Sequence, residues 1–193
     1  MCIRDSGDEV PAHDVVFVGT GFDERIEMLS AIDWAGIDFG LYGWWPNLPP
    51  RHRLKKFWRR GVVPNNYAQK LYQRAKVNLN IYRESVEFNR KGPRITGAES
   101  LNPRAYELAA LGAFHLSAPR AELCDLFGEL VPTFRNPGEL QELLRLFLGN
   151  DELRKRMARP LPGLVAGHAY DVRAAQLINL AMGRRDDALA ATG

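Results

Sequence analysis

The chain has little of several things, and each shortage removes a class of protein. Cysteine occurs only twice in 193 residues, as Cys2 and Cys124, too few and too distant for a disulfide framework, so a reducing context is expected. The four histidines, His13, His52, His115 and His168, share no ligand spacing with one another or with the cysteines, and no metal site is expected. There is no apolar run long enough to cross a bilayer and no secretory core, which points to a soluble, cytoplasmic protein. No nucleophile elbow, internal repeat or low-complexity tract is present.

What remains is an ordinary globular composition, 46% hydrophobic and 25% charged, with the length for one substantial core. The net charge of +3 hides an uneven distribution: "RHRLKKFWRR", 51–60, carries six Arg or Lys and no acid, so the rest of the chain sums to −3. A uniformly basic nucleic-acid binder is not indicated, and no nucleic-acid partner is expected. Segment 51–60 interleaves Leu54, Phe57 and Trp58 with its cations; it reads either as a solvated helix face or as an amphipathic helix lying on anionic lipid, as a peripheral membrane contact, or on nucleic acid. The opening "MCIRDS" resembles a translated cloning scar, and residues 1–13 are expected to be a disordered leader.

Strands and helices alternate from residue 14 to about 183, with 184–193 left as a tail. "DVVFVGTG", 14–21, is a short apolar run closed by two glycines, followed by helical spacing through Phe22, Ile26 and Leu29. Further strands are expected over 36–45, over 76–84 with a polar Asn78 and Asn80 side, at "AFHLS" and at "LVPTF"; a helix capped by Asn65 or Asn66 precedes 76–84. Such alternation implies an α/β doubly wound parallel sheet, Rossmann-like, with ligands at the carboxyl ends of the strands.

The stretch "SLNPRAYELAALGAFHLS", 100–117, is the most informative. Pro103 suits the first helical position, Asn102 the N-cap, and Leu101 with Tyr106 the positions of a hydrophobic staple. A rigid helix start at the ligand edge, with Arg104 in its first turn, suits a diphosphate; Glu107, one turn on, suits two sugar hydroxyls. An exposed Arg104–Glu107 pair at i and i+3 fits the same spacing without any ligand.

These residues, followed by "APRAELCDLF", "LVPTFRNPGELQELLRLFLGNDELRKRMA" and "HAYDVRAAQL", resemble the carboxyl-terminal part of glycosyltransferases similar to spore-maturation protein CgeB, which have the GT-B fold. The resemblance begins at "DVVFVGTGFDERIEML" and runs to about residue 180. It implies a domain that holds a nucleoside diphosphate sugar, with Glu107 on the ribose hydroxyls and Ser100, Asn102 and Arg104 near the diphosphate. The helix pattern E-x-x-A-x-G stands here as Glu107, Ala110 and Gly112. No cofactor is implied beyond the nucleotide sugar as substrate, and no catalytic metal. GT-B enzymes have two Rossmann-like halves; the acceptor half is expected upstream of Val15, so this chain alone is expected to transfer little or nothing.

Other candidates carry weaker patterns. In "GTGFDE" the third glycine of a dinucleotide fingerprint is replaced by Glu24, which disfavours an NAD site; Gly19 and Gly21 are expected to give close backbone access, with Arg25 either facing phosphate or serving structure. Arg90, Lys91 and Arg94 in the 83–99 loop suit either closure over a leaving group or the ordinary polar content of a disordered surface loop. His115 is expected in the core or at an edge, and His168 and Arg173 in packing and capping of the last helix. The contrasting functional reading is a non-catalytic nucleotide- or partner-binding module.

Overall fold

The structure is a computed structural model that describes residues 9–84 and 97–182. In chain order these form β1 (Val15–Val18), α1 (Asp23–Ser30), β2 (Phe39–Tyr42), a 3-10 turn (Arg53–Phe57), β3 (Trp58–Arg60), α2 (Asn65–Arg74), β4 (Val77–Asn80), α3 (Pro103–Ala110) and β5 (His115–Ser117). Then follow α4 (Ala121–Phe127), α5 (Pro137–Leu148), α6 (Asp151–Ala158), α7 (Leu161–Val165) and α8 (Tyr170–Ala181).

The five strands form one sheet in the order β3-β2-β1-β4-β5, every pair parallel. β1 is all β-branched or aromatic, "VVFV", and buried on both faces, as a central parallel strand requires. The chain starts at this centre, steps outward through β2 and β3, then returns across β1 to add β4 and β5 on the other side. The direction of winding therefore reverses between β1 and β4. In open α/β sheets the crevice at such a switch point, at the carboxyl ends of the strands, is where ligands bind.

One core cluster gathers Phe17, Leu29, Phe39, Leu41 and Leu79 with Leu140 and Leu144 of α5. On the opposite face, Val16, Val18 and Tyr42 pack against Ala68, Leu71 and Tyr72 of α2 and Leu108 of α3. The expected doubly wound α/β class is the one observed.

Several local expectations change. The strand expected at "LVPTF" is reduced to one isolated bridge, Ser117 to Thr133, because Pro132 has no N–H to donate. A strand that was not expected, Trp58–Arg60 inside the basic segment, forms the opposite edge of the sheet. Leu54 is fully buried there and Phe57 and Trp58 pack on the core, so 51–60 is no amphipathic helix with a free apolar face. The N-cap of α2 is Pro64, with no side-chain cap, and Asn66 accepts instead from the Tyr67 amide (2.8 Å). Nor do residues 9–13 behave as a leader: Val10 and His13 are buried. His13 bonds to Asp38 (2.9 Å) and Tyr42 (2.8 Å), over Gly40, where a Cβ would collide with its ring. The apolar residues of α8 are not packed: none of its residues is buried, and Leu177, Ile178 and Leu180 are exposed.

Candidate functional site

The helix start in "SLNPRAYELAALG" forms as its chemistry dictates. Asn102 Oδ1 accepts from the Ala105 amide (3.0 Å), and Pro103 opens α3. The far end closes in a Schellman turn: the Gly112 amide donates to Ala109 O and the Ala113 amide to Leu108 O, both at 2.9 Å, with Gly112 at φ +60°. This turns the chain straight into β5.

The start of α3 is fixed from three sides. Asn102 Nδ2 donates to Asn80 Oδ1 (2.9 Å), and Asn80 Nδ2 donates to Ser117 Oγ (3.2 Å), joining the cap to the ends of β4 and β5. The polar side expected of 76–84 is thus buried, with Asn78 and Asn80 1% and 0% exposed, and sequence reasoning missed its role. Asn78 Nδ2 donates to Tyr72 O and Phe114 O (3.0 and 3.1 Å). Glu122 of α4 was also missed. Its carboxylate accepts from the Leu101 amide (2.7 Å) and from the Tyr106 hydroxyl (2.6 Å), tying together the two staple positions. Those two bonds hold its carboxyl below the usual range.

Arg104 and Glu107 emerge from this fixed helix into one hollow of about 230 Å³ between α2 and α3, bounded also by Val18, Val63, Asn65 and Tyr72. Arg104 Nε is buried and has no hydrogen-bond partner. Its guanidinium lies 6.0 Å from the Phe17 ring centroid and 5.9 Å from that of Tyr72. Burial pushes the Tyr72 hydroxyl above its ordinary range, and the adjacent Arg104 charge pulls the other way. Glu107 is exposed, and the Arg104–Glu107 ion pair is not among the salt bridges of the described residues.

Gly19 meets this group: a Cβ there would stand 3.3 Å from Arg104 Nη1 and 3.0 Å from the Phe17 ring. The Gly19 carbonyl in turn packs on Gly43, whose φ of +108° and lack of a Cβ permit that approach. Gly21 answers to packing, since a Cβ would strike the Trp45 indole. Ser100 is exposed on the approach to α3.

Arg25 sits at the same edge but is turned inward. It is 8% exposed; Nε and Nη2 donate to Ile81 O (3.0 and 2.7 Å) and Nη1 to Thr20 O (3.0 Å). Burial, then the neighbouring Arg104 charge, lower its pKa to about 10. Of the two roles open to it, the structural one matches this geometry, because its donors are engaged by backbone. An arginine not singled out from sequence, Arg120 at the carboxyl end of β5, stacks 4.3 Å from the Tyr82 ring and has a buried, unpartnered Nε. Its position just after a strand was the available signal.

A second hollow, about 470 Å³, flanks α3 on its other side, with Tyr106, Val165 and Tyr170 among its walls and Glu107 on the shared rim. Arg173 donates there to His168 Nδ1 (2.6 Å) and to the Tyr106 hydroxyl (3.2 Å); the pair ties α8 to α3 but does not cap it as expected, since the N-cap is Ala169 with no side-chain cap. Arg90, Lys91 and Arg94 lie outside the described residues. Among the described residues no cluster of three or more His, Cys, Asp and Glu could hold a metal, and no helix is long and apolar enough to cross a membrane.

A parallel sheet with its ligand edge at this switch point is the architecture of one GT-B glycosyltransferase domain, and solved structures share it. The DNA-modifying enzyme β-glucosyltransferase, solved with and without uridine diphosphoglucose, superposes with a TM-score of 0.62 at 16% identity over 91% of this chain and 53% of that one. AviGT4, a glycosyltransferase of avilamycin A biosynthesis, gives 0.59 at 18% over 93% and 55%. Sucrose-phosphate synthase from Thermosynechococcus elongatus gives 0.62 at 15% over 89% and 46%. The chain spans about half the length of these structures. The glycosyl transferase-like family model matches residues 25–179; the chain belongs to that family. No curated protein matches.

Proposed function

We propose that this domain is the donor-binding half of a glycosyltransferase of the CgeB-like kind, holding a nucleoside diphosphate sugar for transfer to a glycan, protein or lipid acceptor. One observation carries the reading: Arg104 and Glu107 open into a single hollow at the switch point, and Arg104 Nε is buried there with no partner. A buried guanidinium donor left unpaired costs free energy unless a ligand completes it.

In this reading Glu107 accepts from two ribose hydroxyls. Arg104 and the amides at the start of α3, with Ser100 and the Gly19 backbone beside them, face the diphosphate. During transfer the bond from the anomeric carbon to the diphosphate oxygen breaks, a bond to an acceptor hydroxyl oxygen forms, and that hydroxyl proton leaves to a base. The leaving diphosphate gains negative charge, which Arg104 and the positive end of α3 are placed to stabilise. The hollow is smaller than the roughly 300 Å³ at which small-molecule sites begin, which suits one wall of a cleft whose other wall is a second domain. The cations of 51–60 suit an anionic surface, without an inserted helix. The composition, with two distant cysteines, favours a cytoplasmic setting.

Titration with UDP, GDP and ADP sugars, followed by thermal unfolding, tests the reading. A ligand at 100 times its Kd stabilises by about 2.7 kcal/mol. The gain should shrink in Arg104→Ala and Glu107→Ala. No gain with any nucleotide would favour a non-catalytic module.

A further inference from the structure

One edge of the sheet carries a strip of cations. β3 is the edge strand on the side away from β5, and the turn before it and the strand itself hold Lys55, Lys56, Arg59 and Arg60. The apolar members of the run point inward, Leu54 fully and Phe57 and Trp58 partly buried. Lys55 lies over the Trp58 ring (4.1 Å) and Arg60 over the Tyr67 ring (5.2 Å), which fixes those side chains along the surface. Arg59 stands 3.7 Å from Asp38, a half-exposed pair that leaves much of its charge to solvent.

Two apolar loop tips adjoin the strip. The Gly43 amide donates to Arg60 O (3.1 Å) and Gly61 O (3.0 Å), so the turns after β2 and β3 lie side by side. Next to those glycines stand Trp44, 53% exposed, and Val62, 79% exposed. An indole and an aliphatic tip bordered by cations is the composition of a membrane-interface contact.

We propose that this edge, formed by Lys55, Lys56, Arg59, Arg60, Trp44 and Val62, seats the protein on anionic lipid headgroups. The proposal rests on the anion-facing reading of 51–60 and not on the donor site. Lipid is favoured over nucleic acid because an exposed valine gains by entering the headgroup region and offers no donor to a phosphate. The remainder of the chain, at −3, would also repel a polyanion lying along the domain more than a surface touched at one pole. Val63, beside Val62, lines the hollow of Arg104 and Glu107, so this docking would bring that hollow to the interface.

Co-sedimentation of the full chain with phosphatidylcholine vesicles, with and without phosphatidylglycerol, tests it. Binding is expected only to the anionic vesicles and should fall steeply between about 0.1 M and 1 M salt. Each of Lys55→Gln, Lys56→Gln, Arg59→Gln and Arg60→Gln should weaken it about fivefold, while Trp44→Ala and Val62→Ser weaken it and leave the salt dependence unchanged. Thermal unfolding of each variant separates loss of contact from loss of fold, and unchanged nucleotide titration of the quadruple variant separates this surface from the donor site. Equal binding to neutral vesicles, full binding by the folded quadruple variant, or tighter binding to duplex DNA at the same salt would overturn the proposal.

Discussion

Two arginines occupy the carboxyl edge of the same sheet and differ in what they have left to offer. Arg25, after β1, gives three hydrogen bonds to backbone carbonyls at the ends of β1 and β4. Arg104, after β4, keeps a buried Nε with no partner and opens into a hollow beside a carboxylate. The first arginine is a clasp between strand ends and the second has the profile of a ligand contact. Proximity to a binding edge is therefore a poor guide to function until a side chain's existing bonds are counted.

That contrast is breakable by mutation, and the largest effect should fall on Arg25. Arg25→Ala leaves the Ile81 and Thr20 carbonyls without their charged donor and should cost about 4 kcal/mol in urea unfolding. A loss below about 1 kcal/mol would show the clasp to be incidental.

His115 supplies a control, since it too has a buried unpartnered nitrogen, Nε2, but lines neither of the hollows flanking α3. Its pKa is lowered to about 4 by burial, against an ordinary 6.5. The unfolded chain then binds a proton that the folded chain refuses. Stability should be full above about pH 6.5 and fall as pH drops toward about 4, with a slope up to about 1.4 kcal/mol per pH unit. His115→Phe should flatten the curve in that window and leave nucleotide titration unchanged.

Arg104→Ala should do the opposite of Arg25→Ala. Stability should move by under about 1 kcal/mol, while nucleoside diphosphate binding weakens by about 2 kcal/mol, some thirtyfold, in calorimetry. Glu107→Gln sharpens the division of labour: about tenfold weaker for a nucleoside diphosphate and unchanged for inorganic pyrophosphate, whereas Arg104→Ala weakens both. Asn102→Ala should cost about 2 kcal/mol of stability, through the lost cap and the donor removed from the buried Asn80 Oδ1.

The sequence disclosed those parts of the molecule whose causes are local. The buried run Val15–Val18, the cap at Asn102, Pro103 at the head of α3 and the turn at Gly112 depend on neighbours within a few residues, and each forms as expected. What depended on distant partners was hidden. Nothing near Asn80 announces that it bonds to Asn102 and Ser117, and nothing near Glu122 announces that it ties Leu101 to Tyr106. The direction of Arg25 was equally illegible, because its acceptor, Ile81, lies 56 positions away. The basic segment misled by composition: its alternation of cations with Leu54, Phe57 and Trp58 suits a helix, but the chain uses it to close the sheet edge as β3. Arg104 and Glu107 were legible together because residues three apart on a helix share a face.

The most direct test is a crystal structure of the chain soaked with a nucleoside diphosphate sugar. Ribose hydroxyls should lie on the Glu107 carboxylate and the diphosphate against Arg104 and the amides at the start of α3, with Arg25 unmoved on its carbonyls. A nucleotide bound away from α3, or one gripped by Arg25 while Arg104 stays untouched, would contradict the proposed donor site.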